Sequence, residues 1–257
     1  MSGAFEIGAI GLQSQQRALD VIANNITNVN TPAFKRSDVR FAEIIATRTA
    51  STALPADLAR EAPQVAGVMA DPQLMLNEQG RIEQTGRAMD IAIEGAGFIE
   101  LMGPTGQTLL WRGGGLKING DGLLAAGNGM ALRAAITMPQ DATAIEIGSD
   151  GIVRVLAAGE VEPVEVGQIS LVRLDDAGAI ERLDGGLYRV GETARLTEAP
   201  PGEDGVGLLV QGAMERSNVE LTDEMVRLML VQRSYAANAQ VVQAADQLMA
   251  IANGLRR

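Results

Sequence analysis

A nucleophile with its base, a metal cage or a phosphate cradle would each leave a mark in residue type and spacing, and this chain carries few such marks. Cysteine and histidine are absent. That removes thiolate zinc sites, cysteine nucleophiles and histidine-dependent triads together. Gly95-Ala96-Gly97 opens like a dinucleotide fingerprint, but Glu100 stands where its third glycine should be and a strand pattern follows instead of a helix. Gly113-Gly114-Gly115, after Trp111-Arg112, reads as a bulge or tight turn. Asn119-Gly120-Asp121-Gly122 lacks the liganding pattern and closing glutamate of a calcium loop. Asp175-Asp176 has the carboxylates for acid/base work, yet it sits in an apparent turn, where solvated turn residues are the simpler reading. No constellation supports an enzyme, and no cofactor or metal is expected.

The informative residues are apolar, and they lie at the two ends. From Gly205 the chain runs into Ser217-Asn218-Val219-Glu220, where Ser217 or Asn218 can cap a helix. Glu220, Asp223 and Glu224 put negative charge near its positive end. Leu221, Leu228, Tyr235, Val242 and Met249 then recur every seven residues, the interval of a seam that packs on another helix. Gln232 and Asp246 interrupt it as a uniform zipper. At the other end Phe5, Leu12, Leu19 and Ile26 share that interval, with Ile22 and Val29 as a second row. The helical pattern fails at Asn28-Val29-Asn30-Thr31-Pro32, and Thr31, before proline, is the expected boundary. Each helix alone fits an ordinary core. Two helices with one period, flanking a chain of different character, predict end-to-end pairing. About five large apolar residues per seam, at roughly 1.5–3 kcal/mol each, leave an isolated pair marginal against the entropy of ordering it.

Composition narrows the partners. The 257 residues suffice for one large domain or two ordinary ones, and the 46% hydrophobic, 3% aromatic content predicts a core of Ala, Val, Ile, Leu and Met. A formal charge of −11 argues against non-specific nucleic-acid binding and against a polybasic membrane anchor. The N-terminus shows neither a basic n-region nor an apolar h-region, so no cleavable signal is expected. No apolar run is long enough to predict a transmembrane helix.

The expected class is α+β. N- and C-terminal helices pair as a coiled-coil-like domain around a central antiparallel β domain with an extended connecting arm. Residues 1–47 form an N-terminal helical segment, which breaks at Pro32 and can resume as helix through Val39–Ile45. Residues 48–88 form the arm. Pro55, Pro63 and Pro72 break its periodicity, while Val65, Val68, Leu74 and Leu76 suggest docking, as a long hairpin or a loop. Residues 89–197 alternate as short strands with Gly/Asp turns, notably Ile145 and Ile147 before Gly148-Ser149-Asp150-Gly151 and Val153 and Val155 after it. Residues 198–215 are a return linker to the helical segment 216–257.

Ala23-Asn24-Asn25-Ile26-Thr27-Asn28-Val29-Asn30-Thr31-Pro32-Ala33-Phe34-Lys35 resembles the N-terminal signature of the bacterial flagellar rod and hook proteins. Ser217-Asn218-Val219-Glu220, with Glu224-Met225-Val226 and Gln232-Arg233-Ser234-Tyr235, resembles that family's C-terminal signature. Asp90-Ile91-Ala92-Ile93-Glu94-Gly95-Ala96-Gly97-Phe98, Ile147–Gly151 and Val166-Gly167-Gln168 fit its middle. The likeness covers nearly the whole chain and is nearest the distal-rod branch. Two places depart from the pattern. Ala33 stands where the family has glycine, and Leu110-Trp111-Arg112-Gly113-Gly114-Gly115-Leu116 replaces its Thr-Arg-Asp-Gly-x-Phe stretch.

The resemblance implies a structural subunit, exported unfolded through the flagellar type III apparatus and polymerised into a hollow, torque-transmitting rod in the periplasm, at the flagellar basal body. Implied partners are further copies, neighbouring rod and hook subunits, the surrounding basal-body rings and the export apparatus, with no small-molecule substrate. Proximal rod or hook subunits are the alternatives within the family, and a coiled-coil adaptor with a β head is the alternative from another class. The residues implied in assembly are Leu12, Leu19, Ile22, Asn24, Asn25, Ile26, Asn28, Asn30, Thr31, Pro32 and Phe34 at one end. At the other they are Ser217, Asn218, Val219, Leu221, Glu224, Met225, Leu228, Gln232, Arg233, Tyr235, Val242 and Met249. Four asparagines within seven residues need a reason, because the amide competes for helix backbone bonds. They either form a frayed helix end or bond to backbone and adjacent subunits.

Overall fold

A computed structural model of the chain describes residues 2–46, 64–104, 106–174, 180–191 and 194–254. The stretch Thr49–Arg60, Pro55, Pro63 and Asp175-Asp176 lie outside the described residues, as do the side chains of Phe5, Val65, Val68 and Met249. The class is α+β, with a helix at each end of a mostly antiparallel β region. The chain divides into two compact units. One contains residues 1–27, 37–73 and 220–257, and the other contains 28–36 and 74–219.

In the first unit α1 (Ser2–Thr27) lies against α2 (Leu221–Gly254). The approach is close because α1 offers glycine. A Cβ on Gly8 would come 2.7 Å from Val242 Cγ2, and one on Gly11 3.2 Å from Asn238 Nδ2. The buried row of α1 is Ser14, Ala18, Ile22 and Asn25, spaced by four, four and three, while the expected seam residues Leu12, Leu19 and Ile26 are half-buried beside it. On α2 the inward row runs through Glu224, Leu228, Val231, Asn238, Val242 and Ala245. Leu221 and Tyr235, expected in the seam, are exposed. Small residues on α1 set the contact along a row of fours and threes, displacing it from the strict seven-residue stripe. Neither Ser217 nor Asn218 caps α2, which starts later, at Leu221, with Glu224 N donating to Glu220 O at 3.1 Å.

The same unit holds β1 (Ser37–Ala46), paired with β2 (Gln64–Leu74). Val39–Ile45, expected to resume helix, is strand. A short apolar run is ambiguous in period, and its β-branched and aromatic members take the extended form when a partner strand is at hand.

The second unit is a set of antiparallel sheets. β13 (Ile180–Arg182), β14 (Leu187–Val190), β6 (Thr108–Trp111), β5 (Phe98–Met102), β12 (Leu171–Leu174) and β15 (Leu196–Ala199) lie side by side in that order. A second sheet orders β16 (Leu208–Gln211), β4 (Asp90–Glu94), β7 (Gly113–Ile118) and β8 (Leu124–Ala126). A third orders β11 (Val164–Gln168), β10 (Ile152–Ala157) and β9 (Ala142–Ile147). β3 (Ile82–Gln84) pairs with β17 (Ala213–Glu215). The stretch 198–215, expected as a linker, therefore carries β16 and β17. The core is aliphatic, built from residues such as Ile93, Leu101, Leu124, Val153 and Leu171. At the β9–β10 turn Gly151 takes φ +83°, and a Cβ there would come 2.3 Å from Ile169 O, so only glycine fits.

Candidate assembly interface

The segment after α1 is stitched into the β unit by backbone and by charge. Thr31 N donates to Asn28 O at 3.0 Å, and Thr31 Oγ1 and Asn28 Oδ1 lie 3.1 Å apart. Ala33 N then donates to Glu215 O at 2.8 Å. Ala33 sits at φ +55°, the left-handed region that costs a residue with a Cβ roughly 1–2 kcal/mol and glycine little. Phe34 is buried beneath the Arg182 guanidinium, 4.1 Å from its ring centroid. Asn218 grips the same segment from the other end of the chain. Its Oδ1 accepts from Arg36 N at 2.6 Å, and its Nδ2 donates to Glu78 O at 3.1 Å.

At the centre stands Glu215. Its Oε1 accepts from Lys35 Nζ at 2.7 Å and from Gly80 N at 2.9 Å, and its Oε2 accepts from Arg112 Nε at 2.9 Å. All three side chains are at most 2% exposed. Lys35 also donates to Glu78 O at 2.7 Å, and Arg112 donates to the carbonyls of Gly97 and Gly95. Gly95-Ala96-Gly97, the pair of glycines that resembles a phosphate loop, is thus the carbonyl seat of an arginine. Both Gly95–Gly97 and Arg112 lie where the chain leaves one sheet for another, between β4 and β5 and between β6 and β7. The cluster fastens these two corners to β17 and to the N-terminal signature. Burial, and then the Arg112 charge, push the Lys35 ammonium below its ordinary pKa, while Glu215 pulls the other way.

In the helical unit Asn25, 1% exposed, closes a two-bond clamp on one residue of β1. Its Nδ2 donates to Ser37 O at 2.8 Å, and its Oδ1 accepts from Ser37 N at 3.0 Å. The amide pairs with the strand as a neighbouring backbone would. Beside it Arg227 bridges to Asp38 at 2.8 Å, on the wall of a groove of about 170 Å³ lined by Ile22, Val39, Phe41, Leu230 and Val231. Glu224 is buried there. The rest of α2 presents large apolar side chains to solvent. Met225, Val226, Met229, Leu230, Val241, Leu248 and Ile251 are 46–63% exposed.

The residues singled out in the sequence therefore divide. Ile22, Asn25, Phe34, Val219 and Glu224 are buried, and Leu12, Leu19, Ile26, Asn28, Thr31, Ser217, Asn218, Leu228 and Val242 are half-buried. Asn24, Asn30, Pro32, Leu221, Met225, Gln232, Arg233 and Tyr235 are exposed. Ser217 Oγ accepts from Val219 N at 3.2 Å. Sequence reasoning missed the Lys35–Glu215–Arg112 cluster. Charged residues far apart in the chain carry no period, and the single available signal was Lys35 closing the N-terminal signature.

Three family models match the chain. They are a flagella basal body rod protein model over residues 5–35, a flagellar hook protein FlgE/F/G D1 domain model over 92–155 and a flagellar basal body rod FlgEFG protein C-terminal model over 210–255. The chain is similar to the flagellar basal-body rod protein FlgG of Caulobacter vibrioides, at 33% identity over 98% of this chain and 99% of that one. It is equally similar to the protein of that name from Borreliella burgdorferi, at 33% over the full length of both. The flagellar hook protein FlgE of Rhizobium meliloti matches at 30% identity over 62% of this chain and 37% of its own.

Proposed function

The chain belongs to the flagellar basal-body rod protein family, and on that premise we propose that it polymerises helically, as a distal-rod subunit, into a hollow shaft carrying torque between motor and hook. The family is structural and its place is the basal body, where it assembles with other rod and hook subunits. The surrounding rings and the type III export apparatus complete the proposed partners, and the periplasm is the proposed compartment.

One observation carries the polymer. Among the described residues α2 exposes nine large apolar side chains along its length, Leu221 and Tyr235 included. Fully burying each is worth about 1.5–3 kcal/mol, and so many exposed large apolar residues on one helix point to an interaction surface. Copies packed around a common axis would cover it. The near full-length match to distal-rod relatives, against a partial match to a hook protein, favours rod over hook. Electron micrographs of the purified protein under polymerising conditions test the reading: straight tubes are expected, and a fixed small oligomer would overturn it.

The connecting arm is proposed as a brace that stiffens the shaft. Pro72, in β2, fixes one backbone dihedral, as do Pro55 and Pro63 elsewhere in the arm. Deleting Thr49–Arg60 is expected to leave a polymer that assembles but is curved or flexible. Filaments as straight as the parent's would remove the arm from that role.

A further inference from the structure

Trp111 and the three glycines after Arg112 help to line a pocket of about 290 Å³ in the β unit. Its walls are Trp111, Gly114, Gly127, Asn128, Gly185 and Met214, among others. Missing side chains keep it open. A Cβ on Gly114 would sit 3.2 Å from Trp111 Cζ2, so glycine there leaves room beside the edge of the indole, which is itself buried. A Cβ on Gly127 would sit 3.1 Å from Gly115 O, and one on Gly185 would meet nothing within 4 Å. Beyond Asn128 lies Lys117, an exposed residue whose Nζ is 3.3 Å from where a Cβ on Gly129 would be. The pocket is thus apolar in its depth, lined by bare backbone, and has a cation close to its rim.

Elsewhere on the same unit is an exposed apolar tip with the opposite charge beside it. The turn between β10 and β11 lifts Val161 to 94% exposure, between the exposed carboxylates of Glu160 and Glu162. Few bare valines stand so far from a core, and a branched aliphatic tip between two acids suits an apolar hole beside a lysine. We infer that Val161 of one copy seats in the Trp111 pocket of the next, with Glu160 or Glu162 paired to that copy's Lys117. The proposal rests on the rod reading and adds to it one specific contact. Knob and hole lie at different places on one surface, so the contact is heterologous and propagates instead of closing on itself in a pair. In a chain of net charge −11 the lysine also offsets the repulsion that two acids would otherwise meet.

The absence of cysteine makes the contact directly testable. Full-length Val161→Cys and Asn128→Cys chains, mixed into an excess of the parent and polymerised, are expected to yield a disulfide-linked dimer on mild oxidation. A control mixture of Val161→Cys with Glu203→Cys is expected not to. Lys117→Glu is expected to raise the critical concentration for polymerisation about tenfold, as does Val161→Asp. Adding Glu160→Lys and Glu162→Lys to Lys117→Glu is expected to restore it. Polymer that forms without the specific dimer, or a charge reversal with no effect or no rescue, overturns this contact while leaving the rod reading intact. Failure of the parent chain to polymerise at all overturns both.

Discussion

Glu215→Gln is expected to destabilise the β unit by about 3–5 kcal/mol, the range for breaking a buried ion pair from one side. The size follows from what the carboxylate holds. Two cations, Lys35 and Arg112, share it at 2.7 and 2.9 Å with neither more than 2% exposed, and Gly80 N is a third donor. The amide keeps the shape but removes the charge, leaving two buried positive groups without a counter-ion. It also turns one of two acceptor oxygens into a donor that faces another donor. Glu83→Gln is the internal control. Glu83 pairs with Arg216 at 2.7 Å, close to the same distance, but both side chains are nearly half exposed, and such pairs are worth about 0–1 kcal/mol. Both partnerships involve β3 or β17, so the comparison isolates burial. Urea unfolding at a concentration that keeps the chain monomeric, followed by the fluorescence of Trp111, reads the unit directly, because Trp111 is the single tryptophan and neighbours Arg112. Midpoints for the two variants that agree within about 0.5 kcal/mol would refute the assignment of Glu215 as the charge centre of the unit.

Leu248→Ser, at a 63% exposed position of α2, is expected to leave monomer stability within about 0.5 kcal/mol of the parent and to raise the critical concentration for polymerisation about ten- to a hundredfold, measured by pelleting. Asn25→Ala removes both bonds to Ser37 and is expected to cost about 1–3 kcal/mol and to lower rod yield, whereas Asn77→Ala, at an exposed turn position, changes neither; equal yields would sink that distinction. Burial raises the Tyr188 pKa above its ordinary value of 10.0, opposed by Arg182. The folded state therefore holds that proton after the unfolded state has released it, and the stability contributed is complete below pH 10 and lost as pH climbs through the raised value. Urea midpoints between pH 9 and 11 are expected to fall more steeply for the parent than for Tyr188→Phe; parallel curves would contradict it.

Features set by one residue or its near neighbours are legible in the sequence, and features set by a distant partner are not. Asp150-Gly151 announces the β9–β10 turn because the left-handed angle it requires is a property of one residue. The proline signal puts the end of the N-terminal helix at Thr31, but α1 stops at Thr27, because residues 28–30 already turn before the proline is reached. Val39–Ile45 was misread because its extended form depends on β2, some twenty residues later. The inward row of α2 was misplaced because a sequence period records where large residues lie. The packed row is chosen by the partner, and α1 presents Gly8, Gly11, Ser14 and Ala18. Asn25 was picked out by the improbability of four amides near a helix end. Its partner, Ser37 backbone, has no side-chain signature at all.

The Lys35–Glu215 pair joins residues 180 positions apart, and α2, which completes the helical unit, comes later still. Neither unit can close until nearly the whole chain is present, whichever end is delivered first. Loop closure on this scale delays the rewarding contacts until the entropy of bringing distant segments together has been met. Single hairpins such as β9–β10 need no distant partner, but the core of each unit waits for strands or a helix from the far end of the chain.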